Sequence, residues 1–287
     1  LSVSTGEAGA IRARDASAPA SPVLTLNASG MLPPLHGLPG AGADAFALHA
    51  LARALGPDQP VHALQWPGLC GHRQPESVEA LAAWFVEQLL GQPEPERYVL
   101  LGSSFGGVVA YEMARQLQAA GRRVALLVLV AANRPGHPVL RSDLRPWTRL
   151  SLSLARRWLL PRGGKDRWSR RYLALGLRER LDRLRFHLDR RLRPDRPIAP
   201  FAWRHAYVRE LCYRAADRYR PSPYAGRTVI FRNEQSAPAE LFTTRADLGW
   251  GELLSGHVER LVIPGVHGQE FSAPGLDVLA RELRRRL

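Results

Sequence analysis

The stretch Tyr98-Val-Leu-Leu-Gly-Ser-Ser-Phe-Gly-Gly107 decides the fold. Its first half is a short apolar run typical of a buried strand, and a helical pattern follows it from Gly106 to Ala120. Between the two lies Gly-x-Ser-x-Gly, with Ser104 at its centre. A serine on a sharp strand-to-helix turn exposes its oxygen, and the turn packs tightly only if the residues two before and two after it are small. The pattern predicts Ser104 as a nucleophile, with an ordinary glycine-rich turn as the alternative.

A second feature, the pair of amides expected beside Ser104, predicts an oxyanion hole. The amide of Phe105 opens the helix after the serine, where the helix dipole favours a developing negative charge. A second donor is expected from the loop after an early strand. That loop is Gly37-Leu-Pro-Gly-Ala-Gly42, and its candidate amides are those of Gly40 and Ala41. An ordinary Gly/Pro turn is the alternative for this loop.

The base that activates the serine is expected late in the chain, because the order in a fold with this elbow is serine, acid, histidine. The segment Ile263-Pro-Gly-Val-His-Gly268 follows a strand pattern and precedes the last helix. It therefore predicts His267 as the general base, with a solvent-exposed loop histidine as the alternative. His257 lies before that strand and is in a poorer position.

The order of apolar runs and amphipathic stretches predicts one α/β domain over residues 23–287. Such alternation is typical of a mostly parallel central sheet flanked by helices, and the elbow makes it an α/β-hydrolase fold. Residues 1–22 are rich in Ala, Ser, Gly and Pro and are interpreted as a linker. Residues 138–220 show arginine-laced helical periodicity and are interpreted as an inserted helical lid. Strands are expected at 33–38, 61–65, 98–101, 124–131, 227–231 and 260–263, and helices at 44–55, 77–90, 106–120 and 273–287.

The charge of the chain is concentrated in the predicted lid. The net charge is +14, and residues 141–220 hold 23 basic and 8 acidic side chains, so this segment carries the whole excess. A solvated helical face is the simplest interpretation of most of these arginines. No zinc-finger spacing or RNA-binding aromatic motif accompanies them, so we expect no nucleic-acid partner.

Other classes of protein are disfavoured by the apolar runs and the cysteines. The longest apolar run, Val124 to Ala132, is far shorter than the roughly 20 residues of a membrane helix, and the first residues do not resemble a signal peptide. Cys70 and Cys212 lack metal-ligand spacing, so neither a metal site nor a disulfide framework is expected. These features favour a cytoplasmic protein without a membrane partner.

Several stretches between about residue 30 and the C-terminus give the chain a more specific resemblance. It resembles the type I thioesterase domains that release products from non-ribosomal peptide and polyketide synthases. The stretches are Pro33-Pro-Leu35 with Gly40-Ala-Gly42, Leu55-Gly-Pro-Asp-Gln-Pro-Val-His-Ala-Leu-Gln-Trp-Pro-Gly68, Leu101-Gly-Ser-Ser-Phe-Gly-Gly-Val-Val-Ala-Tyr-Glu-Met-Ala-Arg115, and Tyr219-Arg-Pro-Ser-Pro-Tyr-Ala-Gly226 followed by Ile230-Phe-Arg232, Leu248-Gly-Trp-Gly251 and Pro264-Gly-Val-His267.

The resemblance implies that Ser104 takes an acyl or peptidyl chain from the phosphopantetheine thioester of a carrier domain, in the same polypeptide, without a cofactor of its own. Release would follow by hydrolysis, macrocyclisation or transfer to another nucleophile. Residues 1–22 would be the tether and residues 138–220 the roof of the acyl pocket. Two alternatives stay open: a stand-alone proofreading (type II) thioesterase, and a non-catalytic protein that binds acyl chains or carriers.

One departure from the resemblance concerns the acid of the catalytic triad. The resemblance places an Asp at the end of the strand after the nucleophile helix, where this chain has Ala131. Asn133 is the candidate we favour for orienting His267, and Asp143 and Glu234 are alternatives. Without a charged partner for the base, hydrolysis is expected to be slow, which would leave time for an intramolecular or bulky nucleophile.

Overall fold

The computed structural model describes residues 20–92, 95–137, 139–140, 188, 202–235, 242–243 and 245–287. The strands of this part of the chain are Val23–Asn27 (β1), Leu35–Leu38 (β2), Val61–Leu64 (β3), Tyr98–Ser103 (β4), Val124–Val130 (β5), Val139–Leu140 (β6), Thr228–Gln235 (β7), Phe242–Thr243 (β8) and Val258–Val266 (β9). Seven of them form one sheet in the order β1-β3-β2-β4-β5-β7-β9, in which β1 is antiparallel to β3 and the other neighbours are parallel.

Helices cover both faces of this sheet. They are His49–Leu55 (α1), Val78–Leu90 (α2), Phe105–Ala119 (α3), Ala202–Arg218 (α4) and Gly275–Arg284 (α5), with 3-10 helices at Ala45–Leu48 and Pro67–Leu69. One hydrophobic core lies between the sheet and α2, α3 and α4, and the other between the sheet and α1 and α5. The predicted mostly parallel sheet flanked by helices is confirmed.

Local chemistry explains where several of these elements begin and end. The hydroxyl of Ser77 accepts a hydrogen bond from the Ala80 amide at 3.1 Å, so this residue caps α2 as predicted. The helix expected at 44–55 instead begins as a 3-10 turn capped by Asp44, whose carboxylate accepts from Phe46 N. The last strand is longer than expected because β9 continues to Val266, next to the predicted base.

Three strands were not predicted from the sequence. Strand β1 is an edge strand with half-exposed side chains, so its sequence shows no buried run. Strands β6 and β8 have two residues each and pair with one another outside the main sheet, and β6 lies in the segment where no strand was expected. Of the expected linker, residue 20 donates a backbone hydrogen bond to Cys70 O at 3.0 Å, and residues 1–19 lie outside the described residues.

Most of the predicted lid, and its arginines between 141 and 187, lies outside the described residues. Its last part is α4, which buries Val208, Cys212 and Ala215 and packs against α3, α2 and the 3-10 helix at Pro67–Leu69. Burial raises the pKa of the Cys212 thiol to about 12, which agrees with a small core residue, and both cysteines are free. Within the described part of the chain, no helix is long and apolar enough to cross a membrane.

A buried polar network fastens α4 to the nucleophile helix. Glu112 on α3 is 4% exposed, and it accepts hydrogen bonds from Tyr219 Oη at 2.6 Å and from Arg115 Nη1 at 2.8 Å. Burial, and then the hydrogen bond to Glu112, raise the pKa of Tyr219, so its hydroxyl remains a donor to this carboxylate. The same helix contacts the early glycine loop, since His205 Nδ1 on α4 lies 2.7 Å from Gly42 O.

Candidate active site

Ser104 lies on the turn between β4 and α3 and has φ 53° and ψ −122°. An L-residue rarely adopts a positive φ, and the turn is held by two backbone hydrogen bonds, from Ser104 N to Val130 O at 2.9 Å and from Gly107 N to Ser104 O at 3.0 Å. The strained turn directs the serine out of the sheet, whereas its neighbour Ser103 is buried on β4. The geometry is that of the nucleophile elbow that the sequence predicts.

Backbone contacts explain why glycine flanks the nucleophile. A Cβ at Gly102 would overlap the carbonyl of Gly106, and a Cβ at Gly106 would lie 2.6 Å from Leu38 O. The elbow therefore packs directly against β4 and against the end of β2, with no room for a side chain. This tight packing is the physical reason for the glycines of the Gly-x-Ser-x-Gly pattern.

The early glycine loop lies beside Ser104. A Cβ at Gly40 would be 3.7 Å from Ser104 Cβ, so the backbone of this loop reaches van der Waals distance of the serine. The loop is held by hydrogen bonds from Trp66 Nε1 to Gly40 O at 2.9 Å and between His205 Nδ1 and Gly42 O at 2.7 Å. The amides of Gly40, Ala41 and Phe105 thus belong to the segments that meet at Ser104. Their role as oxyanion donors stays a prediction.

His267 lies on the turn after β9, at the same edge of the sheet as Ser104. Its Nε2 atom is 3.1 Å from Ser104 Oγ, although 163 residues separate the two in the chain. The imidazole is half exposed. This contact has the geometry that a general base needs to take the serine proton.

A carboxylate that the sequence analysis missed lies on the other side of His267. Glu270 is 3% exposed, and its Oε1 atom is 3.5 Å from His267 Nδ1. The same oxygen accepts a hydrogen bond from the amide of Gly268 at 2.8 Å. Ser104, His267 and Glu270 therefore form a continuous line of contacts. The only signal available in the sequence was an acid three residues after the candidate base, which the expected order of serine, acid and histidine excluded.

The three acids or amides considered from the sequence lie elsewhere. Asn133 is exposed on the loop after β5, and none of its contacts among the described residues is with His267. Glu234 is exposed near the end of β7, and Asp143 lies outside the described residues. Ala131 is buried with φ 48°, and its amide donates to Phe231 O at 2.7 Å. None of the first three is shown to orient the base, and that assignment stays a prediction.

The profile of the thioesterase domain matches residues 33–285, which is most of the chain. The chain belongs to the thioesterase domain family. This membership makes it an enzyme, and it disfavours the non-catalytic alternative that Ala131 had kept open.

A curated relative of this thioesterase is a probable non-canonical non-ribosomal peptide synthetase, CymA, from Salinispora arenicola. The two are 39% identical over 107 residues, which are 37% of this chain and 1% of CymA. The thioesterase therefore spans only a small part of the length of that relative. The match supports the resemblance to thioesterases of non-ribosomal peptide synthases.

Solved structures show the fold of the thioesterase. The NocB thioesterase domain, in complex with a fluorophosphonate nocardicin G analogue, superposes with a TM-score of 0.59 at 24% identity, covering 92% of this chain and 98% of that domain. The type II thioesterase BorB from the borrelidin cluster superposes with a TM-score of 0.61 at 20% identity, covering 94% and 98%. The α/β-hydrolase fold is confirmed. The two scores are so similar that fold alone does not separate a synthase-linked domain from a type II enzyme.

Proposed function

We propose that this thioesterase releases acyl or peptidyl chains from the phosphopantetheine thioester of a carrier domain, with Ser104 as nucleophile and His267 as general base. The observation that carries the proposal is the 3.1 Å contact between Ser104 Oγ and His267 Nε2 at a strained elbow. The relatedness to a non-ribosomal peptide synthetase supports a carrier-bound substrate. We further propose that the carrier belongs to the same polypeptide and that no cofactor is needed.

These contacts support an acyl transfer in two steps, with an ester on Ser104 as the intermediate. Ser104 Oγ attacks the thioester carbonyl while His267 Nε2 takes the hydroxyl proton, and the amides of Phe105 and Ala41 or Gly40 stabilise the oxyanion. The C–S bond breaks, the proton passes to the departing phosphopantetheine sulfur, and the acyl chain remains on the serine as an ester. His267 then takes a proton from water, a hydroxyl or an amine. That nucleophile attacks the ester carbonyl, the bond to Ser104 Oγ breaks, and His267 returns its proton to Oγ, which regenerates the serine.

The direct test is intact-mass analysis after incubation with a serine-directed fluorophosphonate or a short acyl thioester mimic. Wild-type protein should gain one adduct, and Ser104→Ala should gain none and should lose turnover by about 10⁶-fold, as when a triad serine is removed in other hydrolases. Ser103→Ala is the matched control, because it removes the adjacent, buried hydroxyl, and it should retain the adduct. A wild-type protein without an adduct would refute the nucleophile assignment.

Rates measured on carriers loaded with different acyl chains distinguish the proposed synthase-linked role from proofreading. A releasing domain should act on a carrier loaded with a long acyl or peptidyl chain and leave acetyl-loaded carrier largely intact. A proofreading enzyme should remove acetyl groups from several unrelated carriers at similar rates. Faster removal of acetyl than of the long chain would favour the type II alternative.

A further inference from the structure

We infer that Glu270 is the third member of the catalytic triad, positioned by the same turn that carries the base. This inference rests on the proposed function, since it concerns how His267 is oriented toward Ser104. It assigns the orienting role to a residue in the turn after β9, in place of Asn133.

The position of the Glu270 carboxylate is fixed by its own backbone turn. Oε1 accepts the Gly268 N–H at 2.8 Å, and the side chain is almost completely buried. The turn itself is closed by hydrogen bonds from Gln269 N to Val266 O and from Ser272 N to Gln269 O, both at 3.1 Å. A carboxylate anchored in this way loses little freedom when the imidazole approaches it, so it is preorganised to hold the ring.

The imidazole is the cationic partner available to this buried acid. Among the residues that the structure describes, no lysine or arginine lies within ion-pair distance of Glu270, whereas His267 Nδ1 lies 3.5 Å from Oε1. Burying a carboxylate is costly unless it is hydrogen-bonded or paired. Formation of the imidazolium during serine attack supplies that pairing at the moment when the reaction needs it.

The orientation of the ring decides what Glu270 does in the reaction. With its proton on Nδ1 facing Glu270, the imidazole leaves Nε2 unprotonated and directed at Ser104 Oγ, which is the tautomer a general base requires. The 3.5 Å separation is an ion-pair contact longer than a hydrogen bond. Catalytic contacts of this kind shorten when substrate binds and positive charge develops on the ring.

The end of β5 offers no competing acid. Ala131 occupies the position where the resemblance led us to expect one, and its side chain is a methyl group. Its neighbour Asn133 carries no charge and faces solvent. In this protein the acid and the base therefore both come from the turn after β9 instead of from two separate strand ends.

The test uses Glu270→Gln, whose amide oxygen still accepts the Gly268 N–H but which carries no charge. The rate of Ser104 acylation by a thioester mimic should fall roughly 10²–10⁴-fold, as when a triad acid is neutralised, while KM changes by less than about threefold. Glu87→Gln is the matched control, because it neutralises an exposed acid on α2, and its rate should equal that of wild type. A Glu270→Gln rate within threefold of wild type overturns the inference.

A second pair of variants covers the case in which Glu270→Gln does not fold. Glu270→Asp and Glu270→Asn have the same length and differ in charge, so their ratio of kcat isolates the carboxylate. A ratio of about 10 or more supports the inference, and a ratio near 1 overturns it. Fluorophosphonate labelling of wild-type Ser104 distinguishes failure of the nucleophile assignment from failure of the Glu270 assignment. Its absence refutes the nucleophile, whereas labelled wild type with an unaffected acid variant refutes only Glu270.

Discussion

The two halves of the site, the elbow around Ser104 and the turn around His267, are built by different means. The elbow is held by backbone packing: glycines at 102 and 106 fit where any Cβ would collide with a neighbouring carbonyl. The turn after β9 is half exposed at His267 and is held by a side chain, since the carboxylate of Glu270 binds the amide of Gly268. The elbow therefore permits few residue types at its glycine positions, whereas the turn around His267 restricts its residue types only weakly.

This difference explains why the site's acid escaped prediction. A steric constraint leaves a glycine pattern that is visible in one sequence. A carboxylate that reaches back over a turn leaves only an acid near a histidine, which occurs on many surfaces. The comparison also changes an earlier expectation: if Glu270 supports the base, the slow hydrolysis anticipated from Ala131 no longer follows. Rapid hydrolysis of a long-chain acyl thioester would then be the expected outcome.

Among substitutions that test the backbone packing of the elbow, Gly106→Ala is expected to have the largest effect on stability. Its new Cβ would lie 2.6 Å from Leu38 O, against backbone that has no way to rotate aside, so the free energy of unfolding should fall by about 3 kcal/mol or more. Urea unfolding measures this loss. Gly91→Ala is the matched control, because Gly91 has φ −76° and its added Cβ meets its nearest neighbour at 3.4 Å. Equal stabilities of the two variants would contradict the steric account.

Acidic pH should lower the free energy of unfolding through His36, which lies on β2, the strand that leads into the early glycine loop. Burial, and then the neighbouring charge of His62, lower the pKa of His36 to about 4. Because the unfolded chain takes up this proton at its ordinary pKa of 6.5 and the folded protein does not, stability falls as the pH drops from 6.5 to 4, by roughly 3 kcal/mol.

The check on His36 is urea unfolding of wild type and of His36→Phe at pH 7 and pH 4. The variant should lose less stability over this interval, since it has no group to protonate. His257→Gln, which replaces an exposed histidine, should lose as much as wild type. A His36→Phe loss equal to that of wild type would show that another group causes the acid sensitivity.

The smallest effect is expected at the residue the sequence favoured for the orienting role. Asn133→Ala removes an exposed amide with no described contact to His267, so kcat should stay within about twofold of wild type. Steady-state kinetics with an acyl thioester mimic measures it alongside Glu270→Gln. A large loss in Asn133→Ala would return the orienting role to the β5 loop.

Much of the fold was predictable because its signals are local. Buried parallel strands such as β4 and β5 consist largely of apolar residues, and Ser77 is a recognisable N-cap for α2. The antiparallel edge strand β1 and the two-residue strands β6 and β8 were missed, since half-exposed or very short strands show no apolar run. These strands form only because they pair with segments distant in the chain, and that pairing is not visible in a single sequence.

The sequence by itself predicted the elbow, with Ser104 as its candidate nucleophile and His267 as the candidate base, because each prediction depends on a spacing or a chain order imposed by covalent geometry. Only the tertiary structure decided which acid faces the base. Asn133, Glu234 and Glu270 are all plausible by residue type, and what separates them is burial and a distance of 3.5 Å to His267 Nδ1. Those quantities arise from how the ends of β5, β7 and β9 and the turn after β9 are arranged at one edge of the sheet.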